Sequence, residues 1–150
     1  MSWTSPHGTP LPDWRKRTLI MGIMNLTPDS FSDGGVLPGV DDALRRAEAL
    51  LNEGADVLDL GAESTRPGAA PITAADELAR LLPVVQALRR RFPQAVLSVD
   101  TYKPDVAAAA VAAGADLVND VEGGRFGAHG DESPMGAACA QARCPLILMH

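Results

Sequence analysis

The sequence predicts an α/β fold: a parallel (β/α)8 barrel present in part, with about five of its strand–helix units. Three observations predict it. Short apolar runs alternate with longer segments of helical periodicity, and apolar strands separated by helices belong to a parallel sheet covered by helices. "GADVLDL" (54–60) and "GADLVND" (114–120) repeat one layout: a helix-ending glycine, a short linker, an apolar strand and a polar residue. The last run, "PLILMH", stops at His150 without a following helix. A five-stranded doubly wound sheet also fits the alternation, but it would usually cover that strand, whereas a barrel needs about 250 residues. The expectation is a leader over 1–17 and a barrel domain over 18–150 that is truncated at its C-terminal side.

The elements follow in order. Residues 18–24 form an apolar strand that breaks at Asn25 into the polar loop "NLTPDSFSDGG". A helix is expected over 41–52, where Leu44, Ala47, Leu50 and Leu51 share a face and Gly54 suits a left-handed end. Residues 57–60 form the second strand. The helix over 73–91 carries the stripe Leu78, Leu81, Leu82, Val85 and Leu88. Thr73 with Asp76 resembles a capping box, and Pro83 should kink the helix or mark a short first turn. Arg89, Arg90 and Arg91 read as a solvated helix end. After a third strand over 95–99, Pro104 opens an alanine-rich helix ending at Gly114. A fourth strand at 117–118, a helix over 135–142 and a fifth strand over 146–149 complete the pattern.

Composition narrows the function. The net charge of −6 argues against non-specific binding to nucleic acid or anionic membrane. No apolar run approaches the roughly 20 residues that span a bilayer, and the first residues lack a basic-then-apolar signal. A cytoplasmic location is expected, with Cys139 and Cys144 as reduced structural thiols. There is no P-loop, no dinucleotide fingerprint and no zinc-type spacing.

The polar residues fall where strands end: Asn25, then 63–66, Asp100, Asn119 with Asp120, and His150. The residues just before the strands read as bland. In either fold the ligand lies beyond the carboxyl ends of the strands. Asp100 closes "AVLSV", so its carboxylate is partly desolvated and needs donors, such as adjacent ring N–H and amino groups. Its alternative role is to cap the next helix. Asn119 offers a donor and an acceptor to the edge of a purine-like or pterin-like ring, or serves as a turn residue before Asp120. Asp59, inside a strand, can point into a barrel interior, where a structural hydrogen-bonding role is at least as well founded as a catalytic one. In "ESTRPGAAP" (63–71), Arg66 suits a carboxylate or phosphate, against the plain reading of a surface arginine.

Two stretches identify a family. "MGIMNLTPDSFSDGG" and "GADVLDLGAESTRPGAAP" resemble the two signature segments of the dihydropteroate synthases. "LSVDTYKP", "AGADLVNDV" and "LILMH" resemble the next three blocks in the same order, so the resemblance covers about 19–150. It implies a barrel of the folate pathway that joins 4-aminobenzoate to (7,8-dihydropterin-6-yl)methyl diphosphate, giving 7,8-dihydropteroate and pyrophosphate. It implies that Asn25 sits at a Mg²⁺–pyrophosphate site and that Asp100 and Asn119 hold the pterin ring. Thr65 matches a substrate-binding residue, and Arg66 with Phe31, Ser64 and Pro67 matches a mobile wall between diphosphate and aminobenzoate. Asp100 and Arg66 are the residues assigned to catalysis. Loops over 25–37 and 61–72 would close on the site. The family is usually dimeric at full length. Ala62 and Tyr102 depart from the family pattern. Two rivals remain: a pterin-binding barrel that moves a methyl group from a folate, and a non-catalytic truncated fragment that only binds.

Overall fold

The computed structural model describes residues 4–27, 39–64, 70–130 and 132–149. Strands and helices alternate along the chain: β1 (Met21–Asn25), α1 (Val40–Asn52), β2 (Val57–Gly61), α2 (Ala74–Arg91), β3 (Val96–Asp100), α3 (Pro104–Ala113), β4 (Leu117–Asp120), α4 (Pro134–Ala142) and β5 (Leu146–Leu148). The five strands form one sheet in the order β1-β2-β3-β4-β5, every pair parallel. A doubly wound sheet reverses its strand order part-way. This one does not, and each helix packs against the next along one face of the sheet. That is the winding of a barrel wall.

Burial follows the two faces. Met24, Leu58, Leu60, Leu97, Val99 and Val118 point into the helical layer and are fully buried. They meet Ala43, Ala47, Leu81, Val85, Leu88 and Val106 from the helices in one core. On the opposite face the starts of the strands carry a smaller cluster, Val57, Val96 and Leu117, covered by Met21 and by Leu11 of the leader. An apolar cavity of about 490 Å³ lies between leader residues such as Trp14 and the strand starts. Ile23, on the same face of edge strand β1, is 63% exposed.

Several sequence expectations change in detail. β1 begins at Met21, because the backbone of Ile20 is already engaged by Asp56 and Val57. β3 and β4 run on to Asp100 and Asp120, and so hold their polar ends inside the ladder. α2 continues through Pro83, which lies on its exposed side. The Thr73 hydroxyl accepts from the Asp76 amide (3.1 Å) but donates to the Asp76 carboxylate (2.7 Å), so the cap is closed side chain to side chain.

The residues before the strands are not bland. Asp56 and Asp116, the third residues of the repeated Gly-Ala-Asp segments, each grip one residue of the preceding strand region by both its polar groups. The Asp56 amide donates to the Ile20 carbonyl (2.8 Å), and its carboxylate accepts from the Ile20 amide (2.9 Å). Asp116 does the same to Leu97, both distances being 2.8 Å. Each carboxylate also takes an arginine, Arg17 for Asp56 and Arg89 for Asp116. Arg17 first, then the Ile20 amide, holds the Asp56 carboxyl at about 2.

Arg89 is therefore not a solvated helix end, although Arg90 and Arg91 are exposed as expected. Its guanidinium reaches the carbonyls of Gly114 (2.8 and 3.0 Å), Pro93 (2.9 Å) and Ala95 (3.0 Å) as well as the fully buried Asp116. Gly114 permits this approach. Its φ is +128°, and a Cβ there would lie 3.2 Å from the Arg89 stem. Replacing Arg89 by Met strands a buried carboxylate. We expect a loss of about 3 kcal/mol in urea unfolding, against less than about 0.5 kcal/mol for Arg90→Met.

Candidate functional site

Parallel register builds the site. Asn25 pairs with Gly61, Gly61 with Asp100 and Asp100 with Asn119, so four neighbouring strands present one transverse row at their carboxyl ends. With a side-chain period of two, this row faces away from the helical layer. Two residues earlier lies the row Ile23, Asp59, Ser98 and Leu117. Gly61 contributes bare backbone. The Asp100 carboxylate lies over it, 3.5 Å from where a Cβ would stand.

The alternative roles of the row's polar members fall away. Lys103 occupies the position before α3, so Asp100 does not cap that helix. Asn119 lies in β4, and its Nδ2 donates to Asp59 Oδ2 at 3.1 Å. The turn that follows is made by Asp120, whose two carboxylate oxygens accept from the Glu122 and Gly124 amides, each at 2.8 Å. Asp59 is buried and does the structural hydrogen bonding that its place inside a strand suggests.

The electrostatics are strained. Burial first, then the neighbouring charges of Asp59, Glu77 and Asp120, push the Asp100 carboxyl up to about 7. Beside it opens a cavity of about 510 Å³, whose lining includes Glu63, Ser64, Tyr102, Glu122 and Met149. Its lining residues Glu63 and Glu77 share the Lys103 ammonium, with the Glu77 oxygen at 2.6 Å. Burial alone would lower the Lys103 pKa, but the two glutamates carry it above its ordinary value. Tyr102 donates to Glu63 (2.9 Å), lies under the Lys103 ammonium (4.5 Å) and meets Phe126 edge to face (4.9 Å). Its departure from the family pattern thus builds part of the wall. Ala62 is fully buried and gives its carbonyl to Arg80 (3.1 Å).

Sequence reasoning missed Lys103 and Glu77. The signal for Glu77 was its place one turn before Leu81 on the apolar stripe of α2, where a charge demands a partner. The structure brings together Asn25, Asp100, Asn119 and, on the cavity lining, Ser64. Phe31, Thr65, Arg66, Pro67 and His150 lie outside the described residues. Among the described residues no cluster of three or more His, Cys, Asp or Glu could hold a metal. No described helix is long and apolar enough to cross a membrane.

Comparison with known proteins gives a consistent answer. The family described as "Pterin binding enzyme" matches residues 21–150. The chain is 45% identical to a Synechocystis sp. dihydropteroate synthase over 145 residues, covering 97% of this chain and 48% of that protein. It is 43% identical to a mitochondrial folate synthesis bifunctional protein of Arabidopsis thaliana, covering 97% of this chain and 26% of that one. Its fold matches a Xanthomonas albilineans dihydropteroate synthase with 4-aminobenzoic acid (TM-score 0.83, 45% identity, 98% of this chain and 52% of that one). It also matches a Burkholderia cenocepacia dihydropteroate synthase complexed with 7,8-dihydropteroate (TM-score 0.72, 47% identity, 90% and 42%). The chain thus spans about half the length of the relatives it matches, and less of the bifunctional one.

An aspartate whose folded pKa stands above its unfolded 3.8 takes up a proton on folding, so stability falls as pH rises from that value to about 7. Urea midpoints should show Asp100→Asn equal to the unsubstituted chain near about pH 3.5 and more stable than it above about pH 7.

Proposed function

The chain belongs to the pterin-binding enzyme family, and on that premise we propose that its strand-end pocket is half of a dihydropteroate synthase site. The observation that carries this is the row Asn25, Gly61, Asp100 and Asn119 at one rim of the sheet. Asp100 is a desolvated acceptor among like charges. A ring edge with N–H and amino donors would relieve it, and a pterin has such an edge. The 4-aminobenzoic acid and dihydropteroate of the two related structures support the substrate class.

In this reading Asp100 and Asn119 hold the pterin flat across the strand ends. Thr65 contacts substrate, and Arg66 with Phe31, Ser64 and Pro67 walls the diphosphate from the aminobenzoate. Loss of pyrophosphate leaves a cation delocalised into the ring. The neutral aniline nitrogen attacks it, and the anilinium formed then releases one N–H proton to the departing pyrophosphate or water, so no enzyme nucleophile is needed. Asp100, ionised by the ring's donors, favours that positive charge. Loops closing from Asn25 and Gly61 would keep water from capturing the cation.

Asn25 is exposed at the end of β1 and offers a neutral amide oxygen. Such a donor fits Mg²⁺, which takes oxygen ligands and keeps mostly phosphate oxygens and water around it. When bound, the ion supplies charge stabilisation to the departing diphosphate. A cytoplasmic reaction agrees with two free, buried cysteines. We place the activity in a full-length homodimer.

The test joins this chain to the C-terminal half of the Synechocystis relative and follows pyrophosphate release from both substrates with Mg²⁺. We expect turnover, a loss of about 100-fold in kcat/KM for Asp100→Asn, and a Mg²⁺ requirement raised by about tenfold for Asn25→Ala. Unchanged turnover in Asp100→Asn would remove it as the pterin anchor.

A further inference from the structure

The hydrogen bond between Asp59 and Asn119 joins residues 60 apart in sequence, and it decides more than packing. Asp59 sits on β2 one row below the rim, 6% exposed. Its Oδ2 receives the Asn119 amide nitrogen at 3.1 Å. Its Oδ1 has no partner among the described residues, and neither does the hydroxyl of Ser98, its register neighbour, which is fully buried. Asp59 is thus a buried carboxylate with one hydrogen bond to a described residue, and that bond goes to the amide that stands beside Asp100 in the strand-end row.

A free asparagine amide can turn over, exchanging donor for acceptor at almost no steric cost. The Asp59 Oδ2 accepts from the amide nitrogen, so Asp59 fixes which end of the amide faces it. The nitrogen is turned toward β2, and one N–H remains. The Asn119 oxygen takes the opposite side. The strand-end row therefore presents a donor and an acceptor in a set order.

We propose that Asp59 is a positioning residue that determines which heterocycle edge Asn119 accepts. This deepens the pterin reading above and rests on it. The fixed order of N–H and carbonyl complements a ring nitrogen acceptor beside an exocyclic amino donor, which is the 2-amino edge of a pterin. A 2-oxo ring of the lumazine type presents the reverse order, a ring N–H beside a carbonyl. It fits only an overturned amide. Rejection is strong when a site built for one hydrogen-bond pattern leaves buried groups unpaired.

The test is calorimetric titration of the 150-residue chain with pterin and with lumazine as probes. The chain should prefer pterin by about tenfold or more. Asp59→Asn keeps the side-chain size but can donate as well as accept, so Asn119 can turn over. Lumazine should then bind more tightly, pterin less tightly, and the preference should fall to about threefold or less. A tighter lumazine complex is a change that general loosening of the fold does not produce. Parallel weakening of both ligands, or an unchanged ratio, overturns the inference while leaving the pterin site in place. Failure to bind pterin even when the C-terminal half of the Synechocystis relative is joined to the unsubstituted chain overturns both. A measurement without any variant guards against a misfolded Asp59→Asn. The Asn119 side-chain amide protons should exchange with solvent at least about tenfold more slowly than those of the exposed Asn52. Equal exchange overturns the proposal.

Discussion

Asp56 and Asp116 fix the register on which the rest of the structure depends. Parallel strands are joined by long crossovers, so no tight turn sets their alignment. A slip of one residue would send every rim side chain into the helical layer. In this chain a carboxylate and its own backbone amide hold a single residue of the neighbouring strand region, once at Ile20 and once at Leu97. The arginines at each grip offset the charge. One end of the sheet sets the alignment, and the other end uses it to bring Asn25, Asp100 and Asn119 into a row.

The two ends carry opposite electrostatic characters. At the strand starts the aspartates are matched by Arg17 and Arg89. At the strand ends Lys103 is held by Glu63 and Glu77, which leaves Asp100 facing Asp59, Asp120 and Glu77 with its carboxyl raised. That imbalance costs the unliganded fold some stability, and strain stored at a binding rim is relieved by a ligand that brings donors.

Much of this was legible in the sequence because it depends on local periodicity. The alternation of short apolar runs and helical stripes gave the element order, and strand ends marked Asn25, Asp100 and Asn119. What escaped depends on partners far away along the chain. Asp56 meets Arg17 and Asp116 meets Arg89 only after folding, so the repeated Gly-Ala-Asp segments were noticed as a rhythm and not as clamps. Arg89 looked like its solvated neighbours because nothing local separates it from Arg90. Pro83 signalled a kink or a short first turn because a proline's missing N–H is usually felt; the helix does not break there, and α2 runs on through an exposed Pro83. The bond from Asn119 to Asp59 was beyond reach for the same reason: register, not sequence distance, makes them neighbours.

The exposed flank at β1 and β5 has a consequence for biogenesis. Ile23, Leu148 and Met149 stand open to solvent beside backbone groups that seek another strand. In any polypeptide where further strands follow these, the ribosome delivers this half first, and it waits with sticky margins until its complement emerges. Slow codons downstream would lengthen that wait, and chaperone capture of the nascent chain would matter most there.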